Sequence, residues 1–169
     1  MLSQKLTDEI NDQIMYEFYS AHLYLAAAAY CYDQDLDGFA NFFTVQAEEE
    51  RFHAMRFFNF VNDMDARIVV KGYETPPAAY ADLVDLFAKT LEHEHFVTDR
   101  IYKLMDIATE EREHATISFL KWFVDEQVEE MATFKGLLTK LKRAAGDTSV
   151  IYDLDGELAA RTFTPPTIV

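Results

Sequence analysis

The segment Gln46-Ala47-Glu48-Glu49-Glu50-Arg51-Phe52-His53 lies in the middle of a long helical pattern, and it decides the fold. Steps of three and four residues from Phe39 pass through the apolar side chains Phe43, Phe57, Phe60 and Met64, and between them through Gln46, Glu50 and His53. This spacing predicts a helix whose apolar face turns towards a bundle core and carries a carboxylate and an imidazole at its centre. A carboxylate in such a core costs several kcal/mol unless it is paired or bound to a cation. The other helices are therefore expected to supply its partners.

The composition of the chain favours a single helical globular domain. Half of its 169 residues are hydrophobic, and it has only 5 Gly and 4 Pro. A chain of this length can bury one substantial core. The net charge is −15, from 30 acidic and 15 basic residues. This charge argues against a nucleic acid or an anionic membrane as partner, because both carry phosphate, and it suits a protein that handles cations.

The cysteine count and the hydropathy pattern bear on the compartment. One cysteine, Cys31, excludes an intrachain disulfide and a four-cysteine zinc or iron site. The first ten residues are polar and of mixed charge, unlike a signal peptide, and no apolar run approaches the ~20 residues of a membrane span. We therefore expect a cytoplasmic protein without a membrane-spanning segment.

Hydrophobic periodicity predicts four long helices and one short helix. They are placed at residues 5–33, 38–65, 81–108, 113–145 and 148–160 of one domain, 1–169. The connections at residues 34–38 and 109–113 are short, which makes the helices on either side of each connection antiparallel neighbours. In the first connection, Gly38 and the aspartates beside it should both end the first helix and cap the N-terminus of the second.

The connection between the second and third helices is much longer. Residues 66–80 include Pro76 and Pro77, which bar a helix there. Fully extended, this segment reaches about 50 Å at ~3.3 Å per residue, whereas a helix of about 28 residues is about 42 Å long. It can therefore cross the length of the bundle and make helices two and three parallel. The predicted fold class is all-α: a four-helix bundle with a long crossover and a short C-terminal fifth helix.

Each long helix carries polar side chains near its midpoint on its apolar face. They are Glu17, Glu50 with His53, Glu94, and Gln127 with Glu130. In the predicted bundle these midpoints meet at one level, and carboxylates that close cannot all stay ionised without a counter-cation. No Lys or Arg lies on these faces, so a metal ion is expected. Carboxylates with one imidazole suit iron or manganese, and six ligands from four helices suit two bridged ions.

The order, spacing and helix placement of these residues resemble the ferroxidase centre of the bacterial non-haem ferritins, over nearly the whole chain. The resemblance implies that Glu17, Glu50 and His53 hold one iron ion and that Glu94, Glu50 and Glu130 hold a second, with Glu50 bridging and Gln127 beside the pair. It further implies a third, neighbouring iron site at Glu49, Glu126 and Glu129, a redox-active tyrosine at Tyr24, and an aromatic neighbour at Trp122.

The resemblance also carries expectations about activity and assembly. It implies oxidation of Fe(II) by O2 or H2O2, and 24 chains closing into a shell that stores Fe(III) as mineral. Two departures separate this chain from the haem-carrying bacterioferritins. Arg51 stands where their haem-ligating methionine would be, and Gln127-Val128-Glu129-Glu130 replaces their second Glu-x-x-His motif. No haem is expected.

Other interpretations stay open from the residues alone. The same bundle could be a di-iron or di-manganese oxidase or peroxidase that stores nothing, or it could be purely structural. The glutamates that flank the apolar faces could simply be solvated; these are Glu48, Glu49, Glu126 and Glu129. Four histidines lie off the apolar faces and are expected at the surface or in an interface: His22, His93, His95 and His114.

Overall fold

The computed structural model describes residues 2–166, and within that range it contains five α-helices and no strand. The helices are α1 (Gln4–Asp33), α2 (Asp37–Asp63), α3 (Leu83–Glu110), α4 (His114–Ala144) and α5 (Thr148–Leu158). The predicted all-α class with four long helices and one short one is confirmed. Residues 161–166 follow α5 without regular structure, and residues 1 and 167–169 lie outside the described part of the chain.

The long connection between α2 and α3 is a crossover. The Phe43 ring on α2 lies 5.1 Å from the Phe87 ring on α3. Seven residues later on each helix, Glu50 lies beside Glu94. Equal steps in the same direction show that the two helices are parallel, as predicted. The start of the crossover is held against α1, because the Asn11 side chain bonds the backbone on either side of Ile68.

The two helix pairs joined by short connections, α1 with α2 and α3 with α4, run antiparallel. Tyr24 near the end of α1 stacks on Phe43 near the start of α2, with ring centroids 6.0 Å apart. Phe134 on α4 lies 6.2 Å from Phe87 near the start of α3, while Gln127, earlier on α4, contacts Thr98, later on α3. Short connections between long helices permit only this arrangement.

The apolar core consists of two clusters, one towards each end of the bundle. One cluster contains the aromatic side chains Phe39, Phe42, Phe43, Phe87 and Phe134 together with Leu154 and Leu158 of α5. The other contains Ile10, Ile14, Phe57, Val61, Val97, Ile101 and Phe123. The polar residues at the helix midpoints lie between these two clusters in the chain, so each long helix passes from apolar to polar and back to apolar.

The fifth helix is fastened to the start of α2. The N-cap of α2 is Leu36, which makes no side-chain capping bond, so the prediction that the connection supplies this cap from its own Gly and Asp was wrong. Asp155 of α5 accepts a hydrogen bond from the Phe39 backbone N–H at 2.9 Å instead. A Cβ at Gly38 would overlap the Asp155 carbonyl oxygen. The glycine is therefore needed for the close approach of α5.

Candidate metal centre

The six polar side chains predicted to meet at mid-bundle are all buried in one place. The most exposed of them, Glu130, is 7% accessible. Within residues 2–166, none of the five helices has the length and hydropathy of a membrane span. Burying four carboxylates together is unfavourable unless protons or cations neutralise them.

The buried side chains form two groups of three that share one carboxylate. Glu17, Glu50 and His53 form the first group, and Glu50, Glu94 and Glu130 form the second. Within each group, one ligand atom from each residue lies within 4.8 Å of the others. His53 Nδ1 lies 3.6 Å from Glu50 Oε2 and 3.9 Å from Glu17 Oε2. This arrangement can hold two cations side by side with Glu50 between them.

Hydrogen bonds orient the carboxylates of Glu17 and Glu94 and leave one oxygen of each without a partner. Gln13 Nε2 donates to Glu17 Oε1 at 2.8 Å, and the Tyr24 hydroxyl donates to Glu94 Oε1. Glu17 Oε2 and Glu94 Oε2 are buried and have no hydrogen-bond partner. A buried polar atom left unsatisfied costs about 1–3 kcal/mol. A bound cation would satisfy both oxygens, so the residues fit a metal site.

The fourth helix contributes an acid and an amide. Gln127 Nε2 donates to Glu130 Oε2 at 2.6 Å, and the Thr98 hydroxyl donates to Gln127 Oε1 at 2.8 Å. The amide is oriented with Oε1 towards Thr98 and its NH2 group towards Glu130. The Thr98 hydroxyl also lies 2.8 Å from the Glu94 carbonyl oxygen, so its one proton is shared between the two acceptors. The structure thus places Gln127 beside the ligand groups as a hydrogen-bond donor to one of them.

The protonation of the metal-free centre follows from burial. Burial raises the pKa of Glu17 and of Glu94 to about 7. Burial, and then the neighbouring carboxylates, raise the pKa of Glu50 and Glu130 well above the ordinary value. Burial, with a smaller effect of Arg56, lowers the pKa of His53 to about 3. The imidazole is therefore neutral and able to bind a metal, while cation binding must displace protons from the carboxyl groups.

Basic side chains take no direct part in the centre. Among the described residues, neither lysine nor arginine forms an ion pair with any of the six side chains; the only pairs are those of His53. The nearest aromatic neighbour on α4 is Trp122, whose ring lies 5.4 Å from the His53 ring. The Arg56 guanidinium lies 3.9 Å from the Trp122 ring centroid. In the metal-free protein protons neutralise the carboxyl groups, and a metal ion can take the place of those protons.

A second acidic group lies next to the centre. Glu49, Glu126 and Glu129 line a small cavity, together with Gln46, Glu130, Thr133 and Arg161. Unlike the central side chains, these three glutamates do not form a set of ligand atoms within 4.8 Å of one another in the described part of the chain. Arg161 Nη2 donates to Glu49 Oε2 at 2.8 Å. Burial raises the pKa of Glu49, and Arg161 partly offsets that effect.

Sequence reasoning missed three residues that support the centre. Gln13 lies one turn before Glu17 and Thr98 one turn after Glu94, so the same helical spacing could have found them. Arg161 has no such signal, because it follows α5 and its partner Glu49 is 112 residues away.

The histidines outside the centre differ in burial. His95 and His114 are not buried, and exposed His22 contacts Tyr73. His93 is more enclosed than expected: it lies 2.7 Å from the Ser20 hydroxyl, and burial lowers its pKa to about 4.

Comparison with known proteins gives consistent results. Residues 7–144 match the family model described as a ferritin-like domain. The bacterial non-heme ferritin of Staphylococcus aureus (strain USA300) is 42% identical over 163 residues, covering 96% of this chain and 98% of that protein. The bacterial non-heme ferritin of Staphylococcus saprophyticus gives the same identity and coverage.

Solved structures agree with the sequence relatives. An open-pore ferritin from the hyperthermophilic archaeon Archaeoglobus fulgidus superposes with a TM-score of 0.95 at 39% identity, covering 96% of this chain and all of that one. A closed form of the same archaeal ferritin, engineered by site-directed mutagenesis, has a TM-score of 0.95 at 40% identity and covers 97% of this chain and all of that one.

Proposed function

This chain belongs to the ferritin family, and we propose that it is an iron-storage ferritin with ferroxidase activity. The substrate is Fe(II), the oxidant is O2 or H2O2, and the Fe(III) product is kept as mineral inside a shell of 24 chains. Each chain acts as one ferritin-like domain in the cytoplasm. The family membership supports iron as the metal, and the 24-chain shell follows from the resemblance to bacterial non-haem ferritins.

One observation carries the proposal: two buried ligand groups share Glu50. A single cation would satisfy one group and leave the other group's carboxylates unpaired. Two cations satisfy both groups and also the free oxygens of Glu17 and Glu94. A purely structural bundle would instead be expected to pair such acids with basic side chains, because unpaired buried charge is strongly destabilising.

The chemistry follows from holding two Fe(II) ions side by side. Each ion gives up one electron, and the two electrons with two protons reduce one O2 to H2O2, or one H2O2 to two waters. Fixing both ions within reach of one oxidant removes the cost of bringing them together in each turnover. Anionic oxygen ligands favour the harder Fe(III) product over Fe(II).

The remaining residues of the centre hold ligands or protons. The carboxyl groups lose protons when Fe(II) binds, since their pKa values are raised in the metal-free protein. Gln127 holds Glu130 in place. Tyr24 is proposed as the electron donor implied by the resemblance, and its hydroxyl donates a hydrogen bond to Glu94. Glu49, Glu126 and Glu129 form the candidate third iron position.

The test is Fe(II) oxidation in air, followed by ferric absorbance. Glu50→Ala and His53→Ala should reduce the rate to nearly that of buffer. Glu130→Ala should slow oxidation and leave assembly intact. The matched control is Glu48→Ala, which removes the same charge from an exposed position on the same helix. A wild-type rate equal to that of buffer and unaffected by Glu50→Ala would refute ferroxidase activity.

Particle mass separates storage from the alternative di-metal enzyme. A shell of 24 chains elutes far ahead of a monomer or dimer in size-exclusion chromatography. A particle of one or two chains with intact oxidation would favour a di-iron or di-manganese oxidase that stores nothing.

A further inference from the structure

Arg161 is held at a fixed point at the start of the C-terminal tail. Its backbone N–H donates to the Leu158 carbonyl at 3.2 Å. Its own carbonyl accepts a hydrogen bond from Asn41 Nδ2 at 2.9 Å. Asn41 lies on α2, two turns before Glu49. The backbone of Arg161 is therefore anchored to α2 independently of what its side chain contacts.

The Arg161 side chain reaches from this anchor into the acidic cavity. Its guanidinium carbon lies 4.6 Å from the Phe42 ring centroid, and Nη2 donates to Glu49 Oε2 at 2.8 Å. Nη1 is buried and has no hydrogen-bond partner. The guanidinium is thus bound by one carboxylate contact and one aromatic face, with a donor unused.

Acidic side chains outnumber basic ones in this cavity. Four carboxylates line it, from Glu49, Glu126, Glu129 and Glu130, and Arg161 is the one basic side chain among its described lining residues. Its volume of about 30 Å³ is enough for a single water-sized species. A metal ion at Glu49 and the guanidinium would therefore compete for the same carboxylate and the same space.

We propose that the Arg161 guanidinium is the resident cation of this acidic cavity, and that a third metal ion binds there only by displacing it from Glu49. The inference rests on the proposed function, since the cavity adjoins the proposed iron pair through Glu130. Displacement does not require the tail to detach, because the Asn41 and Leu158 bonds hold the backbone of Arg161. At low Fe(II) concentration the chain then binds two ions, and the third position fills only at higher concentration.

The experiment is an anaerobic calorimetric titration of the assembled, metal-free protein with Fe(II). Arg161→Gln keeps a side chain that can lie against Phe42 but removes the charge. It should bind a third ion about tenfold or more tightly than the wild type does. Arg161→Lys keeps the charge and should behave as the wild type. Arg67→Gln removes the same charge from an exposed position and should also change nothing. Thermal unfolding of each variant checks that the fold is retained.

Several outcomes would overturn the inference. A third ion bound equally well by the wild type and by Arg161→Gln would show that the guanidinium does not compete. A third ion gained equally by Arg161→Lys or by Arg67→Gln would show that the charge at this position is not the cause. A wild-type protein that bound no ion at all would refute the proposed function itself, and this inference with it.

Discussion

Replacing Glu17 by glutamine should stabilise the metal-free protein at pH 8. Burial raises the pKa of Glu17 from 4.5 to about 7 in the folded chain, so the folded state binds this proton more tightly than the unfolded state does. The stability from this proton is present below pH 4.5 and is lost as pH rises to about 7. At ~1.36 kcal/mol per pKa unit, the loss is about 3 kcal/mol.

The amide of Glu17→Gln stands in for the protonated carboxyl group at every pH and can still accept the Gln13 hydrogen bond. The free energy of unfolding of the variant should therefore equal that of the wild type near pH 4.5 and exceed it by about 3 kcal/mol at pH 8. The assay is urea unfolding of chelator-treated protein at both pH values, with subunit concentration held constant. Glu48→Gln, at an exposed position on α2, is the control and should show no such divergence.

Adding Fe(II) without oxygen should make the wild type more stable than the variant, because only the wild type keeps both ligand groups complete. Ligand binding to the folded state then stabilises the wild type more than the variant. A Glu17→Gln protein that is equally or less stable than the wild type at pH 8 without metal would show that burial does not penalise the charge of Glu17. It would mean that an unrecognised partner stabilises the buried charge of Glu17.

Two further predictions concern parts of the chain away from the centre. Gly38→Ala should destabilise the protein and loosen α5, because the added Cβ meets the Asp155 carbonyl; limited proteolysis and thermal unfolding measure this. The control is Gly136→Ala, whose new Cβ has nothing within 4 Å. This control should be neutral or should stabilise the protein by up to ~1 kcal/mol. Equal effects of the two substitutions would contradict the packing described for α5. Cys31 is fully buried and burial raises the pKa of its thiol to about 12, so a thiol reagent at neutral pH should react only after unfolding; rapid labelling of the native protein would contradict this.

The bundle and its centre could be predicted because both depend on local spacing. Glu50 and His53 lie three residues apart on an otherwise apolar face, so any helix through them must bury both. The crossover followed from length, since residues 66–80 are too many for a turn and enough to span the bundle. The structure confirms the parallel pair that this length implied.

What could not be predicted depends on contacts between distant parts of the chain. The cap of α2 comes from Asp155, more than a hundred residues after Phe39, so no pattern around residue 36 could reveal it. Arg161 likewise contacts Glu49 across 112 residues of chain, and this contact depends on where α5 lies. The three outer glutamates gave an acidic pattern, but the sequence alone did not show the guanidinium beside them.

Glu50 is proposed to belong to two metal positions at once. Counting the Fe(II) ions retained per chain in an anaerobic titration tests it directly. We predict two strongly bound ions in the wild type, loss of both in Glu50→Ala, and loss of one in Glu130→Ala. A Glu50→Ala protein that retains both ions, or a wild type that retains none, would show that Glu50 does not join two metal positions.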